Sequence, residues 1–102
     1  QIRNQQPTAA LASLKDAVEL EPKNIRYSYT YALMLNGQGS SLQALEVLQV
    51  LLEQAPSNYD FLFAAITISR DLGHLAKARA FAKRLISIFP QDQSANQLLL
   101  TL

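Results

Sequence analysis

Apolar residues recur along this chain at the spacing of an α-helix. Tyr27, Tyr31 and Leu35 follow one another every four residues and therefore share one face of a helix. Leu45 and Leu48 belong to a second face of the same kind. No stretch shows the strict alternation of apolar and polar residues that is expected of a β-strand. The pattern predicts an all-α chain with helices over residues 7–21, 25–36, 41–54, 58–71, 75–88 and from about residue 93 to the end.

The outline of one helix pair is repeated at a constant interval along the chain. Pro22, Pro56 and Pro90 are equally spaced, and the same interval separates Gly39 from Gly73. Each proline follows a predicted helix, where its missing N–H and its steric demand on the preceding residue end the helix. The glycines permit a tight reversal between the two helices of a pair.

Polar residues stand at the predicted helix starts. Ser40 and Ser57 are each followed three residues later by a side chain that completes a possible capping box. Asn24 and Asp92 occupy matching positions before two other helices. We therefore expect Ser40 and Ser57 to cap the third and fourth helices.

A helix–turn–helix period of about 34 residues, with small and large residues at fixed offsets, resembles the tetratricopeptide repeat. In the first full repeat the family pattern falls on Ser28, Tyr31, Ala32, Leu35, Ala44, Leu48 and Pro56. In the second it falls on Leu62, Ala65, Ile66, Ser69, Ala78, Ala82 and Pro90. The chain departs from the family at the tryptophan position and at bulky Ile66, where the family has a small residue.

The resemblance implies one domain that is an antiparallel helix-pair solenoid with a right-handed superhelical course. Its parts are a partial repeat over about residues 1–24, repeats over 25–58 and 59–92, and a terminal helix over 93–102. Because the chain begins QIRNQQ without an initiator methionine, we expect it to be excised from a larger protein.

The family usually binds partners along a concave face lined by the first helix of each pair, so the resemblance implies a protein-interaction module. If Tyr27, Tyr31 and Leu35 point into the stack, the opposite face of that helix lies in the groove. This rule, applied again one repeat later, selects Arg26, Tyr29, Leu33, Asn36, Asp60, Phe63, Thr67 and Arg70. We expect Tyr29 and Phe63 to anchor a peptide and Arg26, Asn36 and Arg70 to orient it. The alternative is that these two aromatic rings pack against a neighbouring helix as part of the hydrophobic core.

Some members of the family hold the acidic tails of chaperones with a clamp of lysine and asparagine. Here the corresponding positions carry Tyr29, Leu33, Phe63 and Thr67. The resemblance therefore disfavours an acidic tail as the ligand and favours a more apolar one.

Two other functions remain open. The helix over 41–54 has a broad apolar surface, which fits either the centre of the stack or a contact with a second chain. Leu98, Leu100 and Leu102 make the last helix unusually apolar, so the chain could form a homodimer through them. Alternatively, it is the non-catalytic C-terminal appendage of a larger enzyme or multihaem cytochrome.

Composition and charge add little beyond exclusions. Net charge is +1 and cysteine is absent, and the single histidine, His74, has no metal-binding partner at a suitable spacing. The four cations between Lys77 and Arg84 indicate a solvated helix face. We expect no catalytic residue, cofactor, metal or nucleic-acid partner. The longest apolar run, residues 61–66, is too short to insert across a membrane. The compartment stays open between cytoplasm and bacterial periplasm.

Overall fold

Six helices and no strand run through the part of the chain that the computed structural model describes, residues 2–21 and 23–102. Side chains are described from residue 10 onward. The helices are α1 (Ile2–Leu20), α2 (Ile25–Gly37), α3 (Ser41–Gln54), α4 (Tyr59–Asp71), α5 (Leu75–Ile88) and α6 (Gln93–Leu100). The predicted limits of α3 and α5 agree with the structure. α1 begins five residues before the predicted start, so Pro7 lies inside the helix and not at its first position. Pro22, predicted to end this helix, lies outside the described residues.

The first helix of each pair begins with an asparagine or aspartate cap. The side chains of Asn24, Asn58 and Asp92 each accept a hydrogen bond from the backbone N–H three residues later, at 3.3, 3.1 and 2.9 Å. The expectation for Ser57 was wrong, because it is Asn58 that has the extended backbone of a cap. Ser40 precedes α3 but makes no side-chain capping bond.

Two identical turns reverse the chain within the helix pairs. Gly39 and Gly73 have φ angles of 86° and 81°, the left-handed region that a side chain disfavours. The N–H of Ser40 reaches the carbonyl of Leu35 at 2.8 Å, and the equivalent bond after Gly73 measures 2.9 Å. These are Schellman turns, which satisfy the last carbonyls of α2 and α4. They place α3 against α2 and α5 against α4.

The core is built from the positions of the repeated pattern. Ala32, Ala44, Ala65, Ala78 and Ala82 are completely buried. Small side chains at these points let neighbouring helices approach closely, and leucines fill the space between them. Bulky Ile66 is also completely buried, so the departure from the family pattern is accommodated within the core.

Each helix packs mainly on the next helix in sequence, from α1 to α6. This arrangement is a helical repeat solenoid, with principal extents of 42 × 29 × 20 Å. The broad apolar surface of α3 is explained by its central place between α2 and α4, although Leu42 and Val50 remain exposed. No helix among the described residues has both the length and the hydropathy to cross a membrane.

Candidate peptide-binding groove

A groove of about 330 Å³ lies across the first helices of successive pairs, α2, α4 and α6. α4 forms most of its surface, with one contribution from α6 and two from α2. The residues that line it are Tyr29, Leu33, Tyr59, Asp60, Phe63, Ala64, Thr67 and Ser94. Most of the lining is therefore aromatic or apolar, and a few polar groups are interspersed.

Ring contacts hold the aromatic side chains of the groove in place. Tyr59 stacks on Phe63 with 5.8 Å between ring centroids, and it packs edge-to-face with Phe89 at a centroid separation of 5.3 Å. Tyr29 packs against the buried ring of Phe61 at 5.1 Å. These contacts fix the orientation of each ring before any ligand arrives, which lowers the entropy cost of binding.

The Tyr59 hydroxyl is tied to the start of α6. It donates a hydrogen bond to Oδ1 of Asp92 at 3.1 Å, and the same carboxylate oxygen caps α6. Burial raises the pKa of Tyr59, and the hydrogen bond and the negative charge of Asp92, together with the charge of Asp60, raise it further. The phenol therefore stays neutral and links α4 to α6 at one end of the groove.

Asp60 is the one charged residue among those that line the groove. It is exposed in the first turn of α4, where a carboxylate interacts favourably with the helix dipole. It forms no ion pair with any side chain that the structure describes. The pKa of Tyr29 is raised first by burial and then by the charge of Asp60, so this carboxylate acts on the phenol across the groove.

Comparison with protein families identifies the repeat. The family model described as tetratricopeptide repeat matches residues 1–59 and again residues 37–93. The chain belongs to the tetratricopeptide-repeat family. Tetratricopeptide repeats generally mediate protein–protein interaction and are typically not catalytic. No curated protein matches the chain.

The sequence-predicted groove residues of this tetratricopeptide-repeat chain divide into two groups. Five of the eight line the groove, namely Tyr29, Leu33, Asp60, Phe63 and Thr67. The other three do not. Asn36 accepts a hydrogen bond from the Ser41 hydroxyl at 2.7 Å, and Arg70 pairs with Asp71 at 3.3 Å. Arg26 is exposed at the start of α2. The three residues expected to orient a ligand thus lie outside the lining, whose one charge is negative.

Three lining residues were missed by sequence reasoning. Ser94 lies one full repeat after Asp60, so one more repetition of the rule would have selected it. Tyr59 and Ala64 lie beside Asp60 and Phe63, and a spacing rule for one helix face passes over them.

The groove continues toward the end of the tetratricopeptide array. A further depression of about 280 Å³ shares Phe63 and Ser94 with the first and adds Gln97, Leu98 and Thr101. Gln97 and Thr101 occupy the positions of Phe63 and Thr67 one repeat later. The two depressions are therefore successive segments of one surface along the repeat.

The leucines considered for self-association have different environments. Leu98 is only 8% exposed and packs in the core, whereas Leu100 is 86% exposed. Leu102 is half-buried, and its carbonyl accepts two hydrogen bonds from the Arg79 guanidinium, at 3.3 and 3.1 Å. Only Leu100 of these three therefore offers a large exposed apolar surface.

A separate depression of about 370 Å³ lies between α3 and α5, away from the groove. It is lined by Gln49, Leu52, Glu53, Pro56, Phe81 and Arg84. The Arg84 guanidinium donates to the Pro56 carbonyl at 3.0 Å, so its main polar group is already engaged. No group of three or more potential metal ligands occurs among the described residues.

Proposed function

We propose that this domain is a protein-interaction module that binds a segment of a partner protein in the groove across α2, α4 and α6. The observation that carries the proposal is the run of half-buried aromatic rings along one continuous surface. Tyr29, Tyr59 and Phe63 are held by ring contacts and still border the open groove. Large, preoriented rings of this kind dominate the energetics of protein interfaces.

The free energy gained by burying the rings of the groove is enough for binding of modest affinity. Fully burying one large apolar side chain contributes about 1.5–3 kcal/mol, and the rings of the groove are already part-buried. Several such contacts must also offset the loss of translational and rotational freedom on binding. We therefore expect a peptide to bind with a Kd in the micromolar range, which corresponds to a binding free energy on the order of −8 kcal/mol.

Two half-buried phenylalanines provide a matched test. Phe63 lines the groove on α4, and Phe81 lines the separate depression on α5; both pack against the core. Native domain, Phe63→Ala and Phe81→Ala would each be immobilised and exposed to an extract of the cells that produce the protein. Captured proteins would be identified by mass spectrometry and their affinities measured with purified partner. Circular dichroism would establish that both variants remain helical.

We expect a partner that binds the native domain and Phe81→Ala equally but is lost from Phe63→Ala. A partner lost only from Phe81→Ala, or retained by both variants, would contradict the groove as the binding site.

Light scattering over a range of concentrations tests the alternative of self-association. A mass that doubles with concentration in native protein but not in Leu100→Ser would favour the homodimer instead.

A further inference from the structure

The charge of the groove indicates what kind of segment it accepts. Asp60 is exposed at the rim, and no described side chain neutralises it. Asp92, at the start of α6, adds a second carboxylate beside Tyr59. Arg26 and Arg70, which were expected to face a ligand, are not among the residues that line the groove, and Arg70 is paired with Asp71. The field in the groove therefore favours a cation and opposes a carboxylate.

The aromatic rings favour the same chemistry. The face of an aromatic ring carries partial negative charge and attracts an ammonium or guanidinium group within about 6 Å. Tyr29, Tyr59 and Phe63 border the groove together with Asp60. Lysine and arginine side chains also have long apolar stems that lie along such surfaces while the charged end reaches a carboxylate.

We propose that the groove accepts a basic peptide segment, whose lysine or arginine pairs with Asp60 while its stem packs on the rings of Tyr29 and Phe63. This inference rests on the proposed function, since it names the occupant of the same groove. An apolar residue next to the cation in the segment would occupy the remaining surface, which Leu33 and Ala64 line. An acidic segment would meet Asp60, and none of the residues that line the groove is a cation that could offset the repulsion.

A second aspartate on the same helix supplies the control. Asp71 is exposed at the opposite end of α4, where it pairs with Arg70 and does not line the groove. Asp60→Asn and Asp71→Asn each remove one negative charge from α4. Any effect of net charge alone would therefore appear in both variants, and an effect of the groove would appear only in the first.

The experiment starts from a random-peptide phage library selected on the native domain. Selected peptides are then synthesised, and their affinities are measured by isothermal titration calorimetry against native domain, Asp60→Asn, Asp71→Asn and Phe63→Ala. We expect lysine or arginine beside an apolar residue in the selected peptides. Asp60→Asn should weaken them about 2- to 5-fold at low salt, an effect that shrinks at high salt, and Asp71→Asn should not. Selection on Asp60→Lys should shift the preference toward acidic peptides.

The outcomes separate this inference from the proposed function. Peptides that require Phe63 but lack basic residues, or bind Asp60→Asn as tightly as native domain, would overturn the inference and leave the groove intact. A selection in which no peptide is weakened by Phe63→Ala would overturn both.

Discussion

Removing the hydroxyl of Ser69 is expected to stabilise the domain. Ser69 lies in α4, is completely buried, and its Oγ has no hydrogen-bond partner among the described residues. A buried polar group without a partner loses its hydrogen bonds to water and gains nothing in exchange. Ser69→Ala removes that group and leaves the backbone of α4 unchanged.

The magnitude follows from three contributions. Desolvation of an unpaired hydroxyl costs about 1–3 kcal/mol, which the substitution recovers. Alanine also has a higher helix propensity than serine, worth a few tenths of a kcal/mol, about 0.5 at most. The void left by one oxygen atom is smaller than a methyl group and costs less than about 1 kcal/mol. The net expectation is a gain of about 1–2 kcal/mol in the free energy of unfolding, and each kcal/mol corresponds to about 4–8 °C in Tm.

Urea unfolding followed by circular dichroism measures this change directly. The midpoint for Ser69→Ala should rise while the slope of free energy against urea stays constant. Ser28→Ala is the control, because Ser28 is the other buried serine among the described residues, but it is 7% exposed and its hydroxyl is not a buried group without a partner. A loss of stability of about 1 kcal/mol or more in Ser69→Ala would show that the Ser69 hydroxyl is not an unpaired, destabilising group. It would mean that the hydroxyl bonds to the carbonyl one turn earlier in α4.

Three further predictions concern stability. Leu48→Ala should lower the unfolding free energy measured in urea by about 2–5 kcal/mol because Leu48 is completely buried. Leu42→Ala, at a position 59% exposed, should lower it far less. Equal losses in the two variants would contradict this prediction. Gly73→Ala should cost about 1–2 kcal/mol of unfolding free energy because φ is 81° at this position. Gly37→Ala, in helical backbone, should be neutral or stabilising. A larger loss of stability in Gly37→Ala than in Gly73→Ala would contradict this prediction. Folding raises the pKa of Tyr59, so the contribution of the neutral phenol to stability is complete below about pH 10 and is lost as the pH rises through the folded-state pKa. The unfolding free energy of native protein should therefore fall more steeply with pH in this range than that of Tyr59→Phe. Parallel pH profiles of the two proteins would argue against this contribution.

Much of the fold was predictable from the sequence because the repeat constrains it at many positions. The constant period placed Ala44 and Ala78 at the same point of successive helices, and both are completely buried. The helix starts were less predictable. Ser57 and Asn58 are both good caps, and only the backbone conformation decides between them.

The groove was predictable in part. A spacing rule on one helix identifies its exposed face, and this placed Tyr29 and Phe63 on one surface. It does not indicate how the ends of that face are engaged by other parts of the chain. Arg70 pairs with its neighbour in sequence, and Asn36 accepts a hydrogen bond from Ser41, the first residue of α3. The sign of the charge in the groove consequently emerged only from the structure.

Locating a bound peptide on the domain by NMR tests most directly whether the groove across α2, α4 and α6 is the binding site. Amide chemical shifts of isotope-labelled protein would be followed while a peptide from the phage selection on the native domain is added. We expect the changes to concentrate in α2, α4 and α6, from Tyr29 through Tyr59–Thr67 to Ser94, with little change around Phe81. Changes centred on α3 and α5, around Glu53 and Phe81, would contradict this expectation.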